Sequence, residues 1–157
     1  ARETILSILP YVDVLFISEE TSRRMMQKTG ELQDIMKSYT RDYPISTVCT
    51  TRRTVKSPKK HDFTSVIYSA AEDRFYTEAP YEDIDVIDRI GSGDAYVSGV
   101  LYGLLSTGDP AKALAYGNAT SSVKNTIPGD LPASDLKEIE NIIRAHNATG
   151  QVSELNR

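Results

Sequence analysis

One cysteine, two histidines and no apolar run long enough to cross a bilayer set the first limits on this 157-residue chain. A single thiol, Cys49, allows no disulfide framework within the chain. It lies inside an apolar run, so a buried thiol in a reducing, cytoplasmic compartment is the simplest expectation. No segment reads as a membrane span or a signal peptide, and the Asn118-Ala-Thr and Asn147-Ala-Thr sequons are read as chance matches. His61 and His146 are the available bases for a hydrolytic triad, and both stand in polar contexts where an exposed, inert ring is expected. The 18 basic residues against 22 acidic ones give a net charge of -4. With no long basic run, nucleic acid is not an expected partner. In the one basic cluster, Arg52-Arg53 and Lys56 to Lys60, the lysines read as a solvated loop.

What is present suits one globular domain. Apolar residues make up 39% and charged residues 25%, enough to bury a core at this length. Glu3 to Leu9 has helical period, and Val12 to Ile17 reads as a strand buried on both faces. Helices are expected at about Ser22 to Met26, capped by Ser18 to Thr21, and at Leu32 to Tyr39, with a second buried strand at Ile45 to Thr50. Ser65 to Ser69 and Arg74 to Thr77 form a hairpin around Ala70-Ala71-Glu72-Asp73, and Tyr81 to Ile87 is extended and acidic. Three helices follow: Asp94 to Leu105, Pro110 to about Lys124, and Ser134 or Asp135 to His146, ending before Gly150. Strands alternating with helices indicate an α/β layered sheet with an edge hairpin. Gly99 and Gly103, each costing roughly 1 kcal/mol in helix propensity, imply that the Asp94 helix packs closely on the sheet.

The chemistry concentrates at Asp88-Arg89-Ile90-Gly91-Ser92-Gly93-Asp94, which runs directly into a helix. The first amides of a helix lack intrahelical partners and point outward with the positive end of the dipole, so a small-residue loop there can cradle an anion. Asp94 would repel that anion unless it faces the other reactant, and a hydroxyl donor fits that position. A simpler reading stands beside this one, in which Asp94 or Ser92 merely caps the helix. Three other designs fail on spacing. A P-loop needs Gly-Lys-Ser/Thr, a dinucleotide loop needs glycine where Tyr96 stands, and a nucleophile elbow needs glycines where Ile90 and Asp94 flank Ser92. Ser18 to Thr21, Thr50 to Arg53 and the loop before Asp94 are expected at the carboxyl ends of strands, where open α/β sheets bind ligands.

Asp88-x-x-Gly91-Ser92-Gly93-Asp94 resembles the second signature of the PfkB, or ribokinase-like, carbohydrate kinases, Asp-Thr-x-Gly-Ala-Gly-Asp. The strand ending at Ser18, the Thr50-Thr51 strand end, and Asn118 through Thr126-Ile127-Pro128-Gly129-Asp130 recur in the family's order. Thr51-Arg52-Arg53-Thr54-Val55-Lys56-Ser57 is similar to the Thr-Leu-Arg-Glu-Val segment of 2-keto-3-deoxygluconate kinases. The resemblance implies a ribokinase-like layered sheet with flanking helices, represented here by its C-terminal, nucleotide-binding half (residues 1–157), without the N-terminal substrate and lid half. It implies ATP-dependent phosphorylation of a small sugar, 2-keto-3-deoxygluconate to its 6-phosphate, with Mg2+ and a monovalent cation as accompanying ions. A kinase of another sugar such as fructose or ribose, and a non-catalytic nucleotide-binding fragment or pseudoenzyme, are the alternatives. The isolated half is expected to be inactive.

By the same resemblance, Asp94 is the catalytic base toward the sugar hydroxyl, and the amides of Gly91, Ser92 and Gly93 form the anion hole. Ser18, Thr51, Asn118 and Gly129 line the nucleotide site, and Arg53 reads the acid group of a sugar acid. Asp88 helps hold the loop, through a monovalent cation, and Glu20 is the metal candidate. The chain departs from the pattern in two places. Ser18-Glu19-Glu20-Thr21 stands where the family has Asn-x-x-Glu, and Arg89-Ile90 replaces the hydroxyl residues beside Asp88. A sheet entered at Ala1 would also carry an open edge, a place for self-association into a homo-oligomer.

Overall fold

The computed structural model describes residues 1–155, with side chains placed for residues 1–148. The chain runs α1 (Arg2–Ile8), a 3-10 turn (Leu9–Tyr11), β1 (Val14–Phe16), α2 (Glu19–Arg24), α3 (Leu32–Asp42), β2 (Thr47–Ser57), β3 (Lys60–Ser69), β4 (Arg74–Thr77), β5 (Tyr81–Asp85), α4 (Ser92–Thr107), α5 (Pro110–Asn125) and α6 (Leu136–Leu155). The five strands form one mixed sheet in the order β1-β2-β3-β4, with β5 also pairing β3. β1 runs parallel to β2 with Leu15 opposite Val48. β3 and β5 are antiparallel, with Lys60 opposite Asp85 and a register shift between His61 and Phe63. The α/β class and the layered sheet with flanking helices are as expected.

The chain divides into two compact units. The first comprises Ala1–Thr51 and Ser65–Tyr76, the second Arg52–Thr64 and Thr77–Arg157. In the first unit, α3 places Leu32, Ile35, Met36 and Tyr39 on one stripe, the i, i+3, i+4, i+7 spacing of an amphipathic helix. These residues are at most 7% exposed and form a core with Leu9, Met26, Ile45, Val48, Val66 and Tyr68. The Tyr39 hydroxyl donates to the buried Ser22 Oγ at 3.1 Å, so the one polar atom on that stripe is satisfied.

In the second unit, α4 and α5 approach almost backbone to backbone. A Cβ on Gly99 would lie 2.6 Å from the Tyr116 carbonyl oxygen, and one on Gly103 would lie 2.9 Å from the Ala113 nitrogen. The glycines of α4 thus answer to the neighbouring helix, not to the sheet as expected. Asp109 caps α5 by accepting from the Ala111 and Lys112 amides, and Pro110 occupies the first turn.

Other expectations change in detail. β1 is three residues long and half-buried, not buried on both faces, and stands at the sheet edge with β2 as its one strand neighbour among the described residues. α2 starts at Glu19, earlier than expected, since Ser18 is its cap. β2 continues through Arg52, Arg53 and Lys56, and β3 begins at Lys60. The basic cluster is therefore a strand pair joined by Pro58-Lys59, in which β2 is solvent-exposed from Thr51 onward, rather than a loop. α6 passes through Gly150 to Leu155. Cys49 is 1% exposed, and no helix among the described residues is long and apolar enough to cross a membrane.

Candidate phosphate-binding site

The second unit carries the Asp88 to Asp94 loop. Gly91 adopts a left-handed φ of 76° as the N-cap of α4, with no side chain capping the helix. A Cβ there would be 2.7 Å from the Asp130 carbonyl carbon, so both the dihedral and the close approach demand glycine. The capping reading of Asp94 and Ser92 is overturned. Asp94 is exposed in the first turn, and its carboxylate makes no hydrogen bond or ion pair among the described residues.

The amide of Ala95 donates to the Gly91 carbonyl at 2.8 Å, and that of Ser92 donates to the Arg89 carbonyl at 3.2 Å. Ser92 therefore spends inside the loop the N–H that the anion hole was expected to use. Its own carbonyl accepts from the Ser121 hydroxyl of α5 at 3.0 Å, fastening the helix start to its neighbour. The amides of Gly91, Gly93 and Asp94 make no hydrogen bond among the described residues. Open amides at a helix N-terminus, beside an unoccupied carboxylate and a glycine at 93 with nothing within 4 Å of a Cβ, can receive an anion and a hydroxyl side by side.

Asp88 holds the loop directly. Its Oδ1 accepts from the Ile90 amide at 2.9 Å and its Oδ2 from the Gly129 amide at 3.0 Å. These two bonds, Ile90's first, keep its carboxyl below the usual carboxylate range. Gly129, at φ 88° and exposed, is thereby tied to the motif loop. The loop is pinned from the other side by the last turn of α5, where the Asn125 carbonyl accepts from the Ile87 and Asp88 amides at 2.8 and 3.2 Å.

Asn118, on α5, is fully buried and donates from Nδ2 to Glu78 Oε1 at 2.6 Å. Its sequon is thus inaccessible. Burial raises the Glu78 carboxyl above its ordinary pKa, opposed by the Asn118 bond and by His146. His146 is half-buried rather than exposed. Its ring stacks on Tyr81 with centroids 3.9 Å apart, and its Nε2–H donates to the Ala79 carbonyl at 2.9 Å.

Arg53 projects from the exposed part of β2, ion-paired with no carboxylate among the described residues. Partial burial first, and then the charge of Arg89, lower its pKa. His61, expected at the surface, is 3% exposed. Burial, followed by the Arg53 and Arg89 charges, lowers the pKa of its ring. Arg53 and Arg89 thus bring two positive charges to the neighbourhood of the His61 ring, in the same unit as the motif loop.

The remaining candidates lie in the first unit. Ser18 Oγ accepts from the Thr21 amide at 3.0 Å and donates to Thr21 Oγ1 at 2.8 Å, serving as the cap of α2. Glu20 pairs with Arg24 at 2.9 Å across one helical turn. Thr51 is exposed on β2. No group of three or more acidic, histidine or cysteine side chains that could hold a metal exists among the described residues. Two groups escaped the sequence reading, Glu78 and the buried Lys124. Lys124 is the single charged residue from Ala113 to Asn125, but at the end of a helix that reads as no more than a terminal cation.

The chain is 33% identical over 149 residues to a 2-dehydro-3-deoxygalactonokinase of Haloferax volcanii, covering 94% of this chain and 43% of that protein. The structure of a 2-dehydro-3-deoxygluconokinase from Thermotoga maritima matches 91% of this chain and 44% of its own, with TM-score 0.84 and 28% identity. A putative ribokinase II from E. coli, solved with ATP and Mg2+, shares the fold at TM-score 0.73 and 20% identity. The chain therefore spans under half the length of the relatives it matches. The model of the pfkB family of carbohydrate kinases matches residues 1–135, and with the motif loop, the sheet and the helix pair in the family's order, this chain belongs to that family.

Proposed function

We propose that the chain supplies the phosphoryl-transfer part of an ATP-dependent kinase of 2-keto-3-deoxy sugar acids, and that turnover requires the further length its relatives possess. The observation that carries this reading is the juxtaposition, at the start of α4, of open amides at Gly91, Gly93 and Asp94 with the unpartnered carboxylate of Asp94.

The chemistry follows from that arrangement. The sugar hydroxyl gives its proton to the Asp94 carboxylate as its oxygen bonds to the γ-phosphorus, while the bond to the β,γ-bridging oxygen breaks and ADP departs. The transition state of such a transfer is loose, so an ionised, weakly basic carboxylate suffices, and most of the acceleration comes from positioning and from donors aimed at the phosphoryl oxygens. Mg2+ would arrive with the nucleotide phosphates; each Asp88 oxygen already accepts one amide, and Glu20 is paired with Arg24. Of the nucleotide-lining candidates in the unit of the motif loop, Gly129 is exposed beside that loop, whereas Asn118 is fully buried against Glu78. Arg53, ion-paired with no carboxylate among the described residues, is suited to a planar acid group.

The test uses the longest natural polypeptide containing this chain, MgATP, and a panel of 2-keto-3-deoxygluconate, 2-keto-3-deoxygalactonate, fructose, ribose and adenosine. Turnover of a keto-deoxy acid is expected, falling by roughly 10²–10⁴ in Asp94→Asn while MgATP binding persists. Arg53→Ala should impair acidic substrates selectively. If MgATP binds and nothing in the panel turns over, the kinase assignment of Asp94 fails.

A further inference from the structure

Lys124 is the one lysine or arginine that is fully buried among the described residues, at 0% exposure. A buried ammonium is ordinarily matched by a carboxylate. This one has no ion pair among the described residues. Its Nζ donates instead to two backbone carbonyls, that of Ile127 at 3.0 Å and that of Asp88 at 3.4 Å. It also sits in the last turn of α5, where the negative end of the helix dipole favours a cation. The Asp88 carboxylate is close enough for Lys124 to help hold it ionised.

Neutral carbonyl oxygens converging on a single positive charge form the kind of cradle that a potassium or ammonium ion occupies in proteins. Here the cradle joins the same two segments that Asp88 fastens, the motif loop and the Ile127 to Gly129 turn. A monovalent cation beside Asp88, as expected, would have to compete with the Lys124 ammonium for the carbonyls of Asp88 and Ile127, and each Asp88 oxygen already accepts one amide.

We propose that the Lys124 ammonium replaces an exchangeable monovalent cation beneath the phosphate loop, so that the loop is set without added K+. An exchangeable ion stabilises in proportion to its concentration relative to its dissociation constant. A tethered one is present in every molecule, so the loop geometry loses its dependence on salt composition. The consequence for turnover rests on the kinase reading above, whereas the consequence for the loop does not.

The experiment therefore has two arms, each at constant ionic strength with choline replaced by K+, NH4+ or Na+. In the first, hydrogen exchange of the Ile90 and Gly129 amides and the melting temperature are followed on the chain itself. In the second, kcat/KM is followed on the longest natural polypeptide. The unaltered protein should show no specific response to K+ in either arm. Lys124→Ala, which vacates the cradle, should lose amide protection and turnover in choline and regain both in K+ or NH4+. Lys124→Met, whose stem fills the space without charge, should lose both and regain neither. A K+ requirement in the unaltered protein overturns the proposal, as does a Lys124→Ala protein that is indifferent to K+. If Lys124→Ala fails to fold in choline, folding restored by K+ supports the proposal and folding restored by no ion defeats it. Protection that responds as expected in a protein lacking turnover would defeat the kinase reading and leave the tethered cation standing.

Discussion

Asp88 accepts the amide proton of Gly129, 41 residues further along the chain, at 3.0 Å, with its second oxygen held by Ile90 at 2.9 Å. One carboxylate thus sets the shape of its own loop and closes the turn after α5 upon it. Asp88→Ala should lower the melting temperature, with Asp88→Asn intermediate because it keeps a single acceptor. The folded pKa is depressed, so the stabilisation is present above the unfolded value of about 3.9 and is lost as pH falls through the lower folded value. Melting curves across that acid range should converge for Asp88→Ala and the unaltered chain.

The glycines of α4 separate by what stands opposite them. Gly99→Ala and Gly103→Ala put a methyl into the α5 backbone, 2.6 Å from Tyr116 O and 2.9 Å from Ala113 N. Overpacking of this kind costs about 1–3 kcal/mol, which outweighs the ~1 kcal/mol of helix propensity gained. Gly93→Ala meets nothing within 4 Å and should leave the melting temperature unchanged or raised. Its methyl stands beside the open amides, so turnover should fall. Denaturation and kinetics on the three variants test the division.

Burial and two arginines hold His61 below its ordinary pKa. The unfolded chain therefore takes up this proton first as pH falls through ~6.5. The sign is fixed by that order: His61 costs nothing above the unfolded pKa and destabilises the fold as pH drops toward the folded one. Glu78, whose pKa is raised by burial, acts in the opposite sense at lower pH, above ~4.3. Between about pH 7.5 and about pH 5.5, either side of the imidazole value, the melting temperature should fall less in His61→Leu than in the unaltered chain. Equal slopes would show that the His61 ring is not kept neutral by the fold.

The motif loop was legible because its chemistry is local. Gly91, Gly93 and Asp94 sit next to the residues whose amides they expose, and helical period begins at once. What stayed hidden depends on partners distant in the chain. Arg52 to Lys60 looks like a solvated loop because exposed strands have no apolar alternation, and their identity is fixed by pairing instead. His61 looks polar from its neighbours, yet it alternates with Phe63 on the covered face of β3. The small residues of α4 announced a close neighbour and were read as facing the sheet, but Ala113, Tyr116 and Gly117 of α5 stand there instead. Lys124 could be read only as a helix-ending cation until the two carbonyls around it were seen.

The contact between α4 and α5 has a mechanical meaning. Two helices kept apart by long side chains can slide as rotamers exchange, much as bearings allow travel. Gly99 and Gly103 leave no such layer against α5, and the Ser121 hydroxyl locks the near end to Ser92 O. The pair should therefore move as one stiff strut, carrying the Gly91 turn and the Asp130 segment together. Any travel needed during a reaction cycle falls to other joints of the molecule.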